Sequence, residues 1–151
     1  MAGAGRRIRE GLSGNEQEYV ELRSTSLKGL DRRSLPRILV KSVIVSPTKR
    51  SVVYRGLTPI RGLAWSGEGE ISNVEISADG GAHWRNAKRP PSRGYEWISW
   101  QATIELNKRG IVELICRASD AQGHTQPDQR DPTRLDGYGQ NWYHRVQVVV
   151  V

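Results

Sequence analysis

The sequence predicts an all-β sandwich of about seven short strands, and three observations carry that reading. Short runs of β-branched and apolar residues recur along the chain, each closed by proline, glycine or an Asp-Gly pair. Within several runs the apolar residues alternate with polar ones, the period of a strand with one buried face. No 3.6-residue apolar period persists long enough for an amphipathic helix. With 151 residues, 36% hydrophobic and 26% charged, the composition suits one globular domain with a short extension, not a disordered chain.

The first 35 residues hold serine, glycine and arginine, with Tyr19 the lone aromatic and no sustained period. They read as an irregular N-terminal extension or linker (1–35) in which EYVELR (18–23) is the one strand-like run. The strand pattern fills the remaining domain, 36–151. ILVKSVIV (38–45) is a β-branched run ended by Ser46-Pro47, SVVYRG (51–56) is a second, and IRGLAWS (60–66) follows Pro59. In NVEISADGGAHW (73–84), Val74 and Ile76 alternate with polar residues. Asp79-Gly80, followed by Gly81, tolerates the positive φ angles of a tight hairpin turn, and Trp84 then starts or flanks the return strand.

EWISWQATIEL (96–106) places Ile98, Trp100, Ala102, Ile104 and Leu106 on one face. Gly110 breaks it, and IVELICRA (111–118) is expected as its neighbour, with Val112, Leu114, Cys116 and Ala118 sharing a face. A polar, proline-containing stretch runs to about Gln140, and YHRVQVVVV (143–151) is strongly β-prone. The chain has no phenylalanine, so Trp65, Trp84, Trp97, Trp100 and Trp142 are expected to supply much of the core volume. Each buries on the order of 200 Å² if enclosed. One or two at an interface would match the enrichment of tryptophan at binding hot spots.

The chemistry in the sequence is sparse. Cys116 is the single cysteine, which excludes an internal disulfide, and its place on an apolar face reads as an inert core thiol. His83, His124 and His144 lack metal-ligand spacing with one another, with Cys116 or with a carboxylate cluster. No glycine-rich phosphate loop or nucleophile elbow is present, and Glu68 and Glu70 fall in a loop where solvation explains them. A net charge of +7 raises the question of nucleic acid. The basic residues nevertheless spread from Arg6 to Arg145 among sixteen carboxylates. The densest group, Arg85, Lys88, Arg89 and Arg93, reads as a solvated loop, so nucleic acid is not the expected partner. No stretch approaches the roughly 18 apolar residues of a membrane span. Arg6-Arg7 lacks an apolar export core behind it and reads as a charge cluster, which leaves the compartment open. From the residues alone the chain is a β-sandwich interaction module with no catalytic constellation.

Four segments in order extend the reading: GLAWSGEGEISNVEISADGGAHW, WISW, ICRASDAQGHTQP and GYGQNWYHRVQV. Together they resemble the carboxy-terminal domain of the sulfite oxidase family of molybdenum-cofactor oxidoreductases, over roughly Leu35 to Val151. The resemblance implies an immunoglobulin-like sandwich that mediates homodimerisation. It implies that molybdopterin and its cysteine ligand sit in an associated catalytic domain, so this chain alone binds no cofactor and is not catalytic. Trp65, Asp79, Gly80, Gly81, Trp84, Trp100, Asp120, Gln126, Pro127, Gly137, Asn141, His144 and Arg145 match the family pattern. Asp120, Gln126 and Pro127 are expected to shape the loop after the Cys116 strand, and Asn141 and His144 to brace the last strand, with Arg145 left undecided. The family carries a substrate-pocket arginine just before the glycine of TRLDGYG. Here Asp136 replaces it, with Arg134 two residues earlier. A carboxylate repels the oxyanion that an arginine would hold. Two origins of the short length stand side by side, a fragment of an enzyme or a separately encoded subunit, and the initial Met1 leans toward the second. The alternative is a free-standing immunoglobulin-like module for an acidic partner.

Overall fold

The structure is a computed structural model that describes residues 39–91, 96–133 and 140–151, together with the backbone of two earlier strands. Those strands, β1 (Val20–Arg23) and β2 (Asp31–Ser34), pair antiparallel, and β1 falls on EYVELR. They belong to one compact unit, and the sandwich to a second that spans Ile38–Arg130 and Asn141–Val151.

The sandwich is built from β3 (Lys41–Ser46), β4 (Val52–Val53), β5 (Gly56–Trp65), β6 (Ile71–Ser77), β7 (Arg85–Asn86), β8 (Ile98–Leu106), β9 (Gly110–Asp120) and β10 (His144–Val150). One sheet runs β3-β5-β8 and the other β4-β10-β9-β6-β7. Every pairing is antiparallel except β4 with β10, which run parallel. This arrangement of a three-stranded and a five-stranded layer, with most consecutive strands passing between layers, is immunoglobulin-like. Alternation does the sorting. Ile60 and Ala64 of β5, Val74 and Ile76 of β6, Ile98, Trp100 and Ile104 of β8, Leu114 and Cys116 of β9, and Val146 and Val148 of β10 all point into the shared core.

Three expectations need correction. The strand of Ile98–Leu106 is not the neighbour of the strand that follows it, for β8 pairs with β5 while β9 pairs with β6 and β10. The link between them crosses from one layer to the other, so their apolar faces meet across the core. Alternation fixes which face is buried but not which strand lies alongside. Second, the DGG segment is no two-residue hairpin. Ile76 pairs with Arg85, which leaves an eight-residue loop (77–84), and the positive φ angles fall on Gly80 (73°) and Gly81 (90°). Third, the tryptophans do not fill the core. Only Trp100 is enclosed, at 2% exposure, while Trp65 and Trp84 are half-buried and Trp97 is 58% exposed. Trp65 occupies an outward position of β5, and Trp97, just ahead of β8, stacks on it with ring centroids 3.6 Å apart. Isoleucine and valine supply most of the core instead.

Two backbone accommodations hold β5 in place. Pro59 lies in the part of the strand that β3 does not reach, so its missing N–H faces one fewer neighbour than at the centre of the sheet. Gly62 sits beside Trp100, and the indole lies where a side chain would be. A Cβ at that position would come within 2.1 Å of the Val43 carbonyl oxygen and 2.2 Å of Trp100 Cζ2.

Candidate functional site

Of the residues singled out by sequence, Gln126, Pro127, Asn141 and His144 converge on the edge where β3 meets β9, β10 and the segment between them, while Trp65, Asp79, Gly80, Gly81, Trp84 and Arg145 lie apart from it. Gln126, 2% exposed, is the centre. Its Oε1 accepts from Ser42 Oγ of β3 (2.6 Å) and from the Ala118 N–H of β9 (2.8 Å). Its Nε2 donates to the carbonyls of Asn141 (3.0 Å) and Trp142 (3.1 Å). One amide therefore joins both sheets to the approach of β10, with donor and acceptor ends both satisfied in a buried setting. Pro127 follows, and its carbonyl accepts from the Tyr143 N–H at 2.9 Å.

Asn141 and His144 extend this polar seam. Asn141 Nδ2 donates to the Val40 carbonyl (3.1 Å), and His144 Nδ1 accepts from the Ile44 N–H of β3 (3.0 Å). That contact requires an unprotonated Nδ1, and burial, reinforced by the charge of Lys41, lowers the imidazole pKa below its ordinary value. As pH falls through the ordinary histidine range, the unfolded chain takes up a proton that the folded one refuses. Stability is thus fully present above that range and declines below it. The thermal midpoint should drop between about pH 8 and pH 5 more steeply in the native protein than in His144→Asn. The asparagine oxygen accepts the same N–H without titrating. Equal slopes in the two proteins would show that His144 does not carry this dependence.

Asp120, at the end of β9, anchors the turn that follows. Its Oδ1 accepts the N–H groups of Gln122 and His124 (both 3.0 Å), and its Oδ2 accepts from Ser66 Oγ (2.9 Å). Burial opposes ionisation, but the hydrogen bonds from Ser66 and His124 outweigh it and hold the carboxyl below its usual range. Asp79 braces the 77–84 loop in a similar manner, and the bonds from His83 and Ser77 lower its pKa to about 2.

On the outer face of the five-stranded sheet, Arg117 forms a cluster. Its guanidinium lies 3.9 Å from the Trp84 ring centroid, while Nε meets Glu75 Oε2 at 2.7 Å and Nη1 donates to the Tyr143 hydroxyl at 3.0 Å. Arg145 of β10 donates to the Asp128 carbonyl (3.1 Å) and to its carboxylate, with Glu113 3.7 Å from Nε. Its charge is already engaged by two carboxylates. Arg134, Asp136 and Gly137 lie outside the described residues.

The donor set does not suit a molybdenum ligand. Cys116 Sγ is fully buried 3.3 Å from Ser42 Oγ, whose one proton goes to Gln126, and burial pushes the thiol pKa up to about 12, far from the thiolate that a metal needs. Among the described residues no group of three or more His, Cys, Asp or Glu side chains is placed to hold a metal ion. Among the same residues no helix is long and apolar enough to cross a membrane.

Residues 32–151 match the model of the Mo-co oxidoreductase dimerisation domain. The chain belongs to that family. Among relatives of this dimerisation domain, a sulfite oxidase of Gallus gallus is 33% identical over 126 residues, covering 77% of this chain and 28% of that protein. A sulfite oxidase of Arabidopsis thaliana is 31% identical over 121 residues, covering 71% and 30%. A solved structure, the sulfane dehydrogenase SoxCD from Paracoccus pantotrophus, superimposes with a TM-score of 0.63 at 30% identity, covering 76% of this chain and 30% of that one. The chain thus spans less than a third of the length of these relatives.

Ser42, Glu75, Arg117 and Tyr143 were not singled out by sequence. Ser42 and Gln126 are 84 positions apart, and nothing local in either segment announces the pairing. Arg117 stands at an outward parity position of β9, a weak signal that its packing against Trp84 turns into structure.

Proposed function

We propose that this chain is the non-catalytic part of a larger molybdenum-cofactor oxidoreductase, associating with a second copy of itself and accompanying a catalytic molybdopterin domain. The family match over 32–151 carries the reading. The absence of a thiolate-ready cysteine supports the view that redox chemistry and cofactor reside in the associated domain. Whether the two parts share one chain or two is decided by the neighbouring coding sequence. Sedimentation of the purified chain at tens of micromolar should give a dimer burying more than about 1,000 Å² in total, with stoichiometric molybdenum absent on metal analysis. A monomer at that concentration would sink the self-association, and stoichiometric molybdenum would sink the non-catalytic role. A salt-insensitive dimer also separates this reading from charge-driven binding of an acidic partner, which would weaken by orders of magnitude between low and moderate salt.

The substrate reading rests on Asp136. The catalytic partner of this module does not take sulfite in the usual way, or it draws its pocket arginine from elsewhere, because a carboxylate at Asp136 repels an oxyanion. In the assembled enzyme, Asp136→Arg should raise sulfite turnover by about tenfold or more, on the scale of one charge-assisted hydrogen bond. Efficient turnover by the native protein, with no gain in the variant, would refute it.

A further inference from the structure

The outer face of the five-stranded sheet changes character along its length. Near the chain's Arg117 and Arg145 it is charged and internally paired. At the opposite end its outward positions are all apolar. Val52 of β4 pairs with Val149 of β10, and Val149 pairs in turn with Ile111 of β9, which sets three branched side chains in a row across three adjacent strands. Val151 follows Val149 on the same face. Its N–H donates to the Val53 carbonyl at 2.9 Å and its carbonyl accepts from the Arg55 N–H, which fixes the stretch bearing Tyr54 alongside. Val52 is 64% exposed, Tyr54 81% and Ile111 73%. A sheet face open to water carries polar residues at such positions, and the largest exposed apolar patch of a small domain is often a contact surface.

We infer that this row is where two copies of the chain meet about a two-fold axis, an assignment that rests on the self-association proposed above. The charge balance selects it. A two-fold interface brings each patch against its own image. At a net charge of +7, the basic loops would set like charges face to face. A second exposed apolar group, Trp97 stacked on Trp65, carries the Lys41 ammonium 5.9 Å from the Trp65 centroid and would do the same. The Val52–Val149–Ile111 row is uncharged and therefore complementary to itself. A stable dimer needs about 800 Å² per copy. The row supplies the apolar centre, and Glu113 and Gln147, next along β9 and β10, begin a polar rim.

The test is sedimentation equilibrium on the native chain and on Ile111→Lys, Val52→Lys and, as a control on the other sheet, Leu57→Lys. All three positions are well exposed, so thermal midpoints should stay within a degree or two of the native value. The two row variants should raise the dimer dissociation constant by about 30-fold or more, and the control should leave it unchanged. If the native chain is dimeric and the row variants remain so, the surface lies elsewhere and self-association stands. A native monomer overturns both. Amide exchange on the native chain gives a reading independent of variant folding: segments 52–54, 110–112 and 149–151 should gain protection above the dissociation constant, and unchanged rates there overturn the assignment. Protection that arises only on adding the catalytic domain also overturns it, in favour of an interdomain contact.

Discussion

Gly62→Ala is expected to cost about 3 kcal/mol or more, a large share of the 5–15 kcal/mol that holds a typical domain together. The added methyl would meet Trp100 on one side and the Val43 carbonyl on the other, both far inside van der Waals contact. Neither can yield cheaply. Trp100 is among the fully enclosed side chains, and the Val43 oxygen is fixed by backbone in β3, which pairs with β5 at this point. A chemical-denaturation midpoint reads the loss directly. In a Trp100→Leu background the same substitution should cost less, because one of the two obstructions is gone while the carbonyl remains. A Gly62→Ala midpoint equal to the native one would show that β5 shifts freely, contrary to the close approach described above.

Gln126→Leu is expected to cost about 3 kcal/mol by a different route. It keeps the volume but strands the Ala118 N–H and the carbonyls of Asn141 and Trp142 in a buried setting. Gln126→Glu separates the two halves of the amide's role. An ionised carboxylate still accepts from Ser42 and Ala118, but it turns oxygen toward two carbonyls and carries a buried charge. Burial raises the folded pKa of such a group above its unfolded value, so the native state binds more protons and the variant gains stability relative to the native protein as pH falls from about 7 to 5. Comparison at each pH cancels the His144 dependence common to both. A Glu variant as stable as the native protein at neutral pH would mean that the amide donors contribute nothing to the seam.

How far the sequence could be read depended on the range of the forces involved. Alternation in EWISWQATIEL and IVELICRA fixed the buried faces of β8 and β9, because burial parity is a local property of a strand. Strand adjacency is not local: the same two patterns serve equally for a hairpin or for opposite layers, and the chain takes the second. The large apolar volume of tryptophan suggested core, yet Trp65 follows the outward parity of β5 and Trp97, just ahead of β8, stacks against it outside the core. At the candidate site, RASDAQGHTQP pointed to a braced turn because an aspartate followed by small residues accepts nearby N–H groups, a short-range pattern. Its link to Ser42 and to the carbonyls of residues 141 and 142 depends on the finished sandwich and leaves no trace in either stretch.

The position of β10 in the five-stranded sheet bears on how the protein is made. It lies between β4 and β9, although it is the last strand of the series to be synthesised. On the ribosome, β3, β5 and β8 can complete their layer first, while β9 waits with one edge bare over the seven residues that β10 later pairs and β4 has nothing to pair with. The His144 contact to Ile44 and both amide donations from Gln126 wait for the same segment. The row that joins Val52, Val149 and Ile111 comes into being only when β10 docks. The surface assigned to pairing is therefore withheld until each copy has closed its own sheet, an order of events that keeps half-made chains from meeting through it.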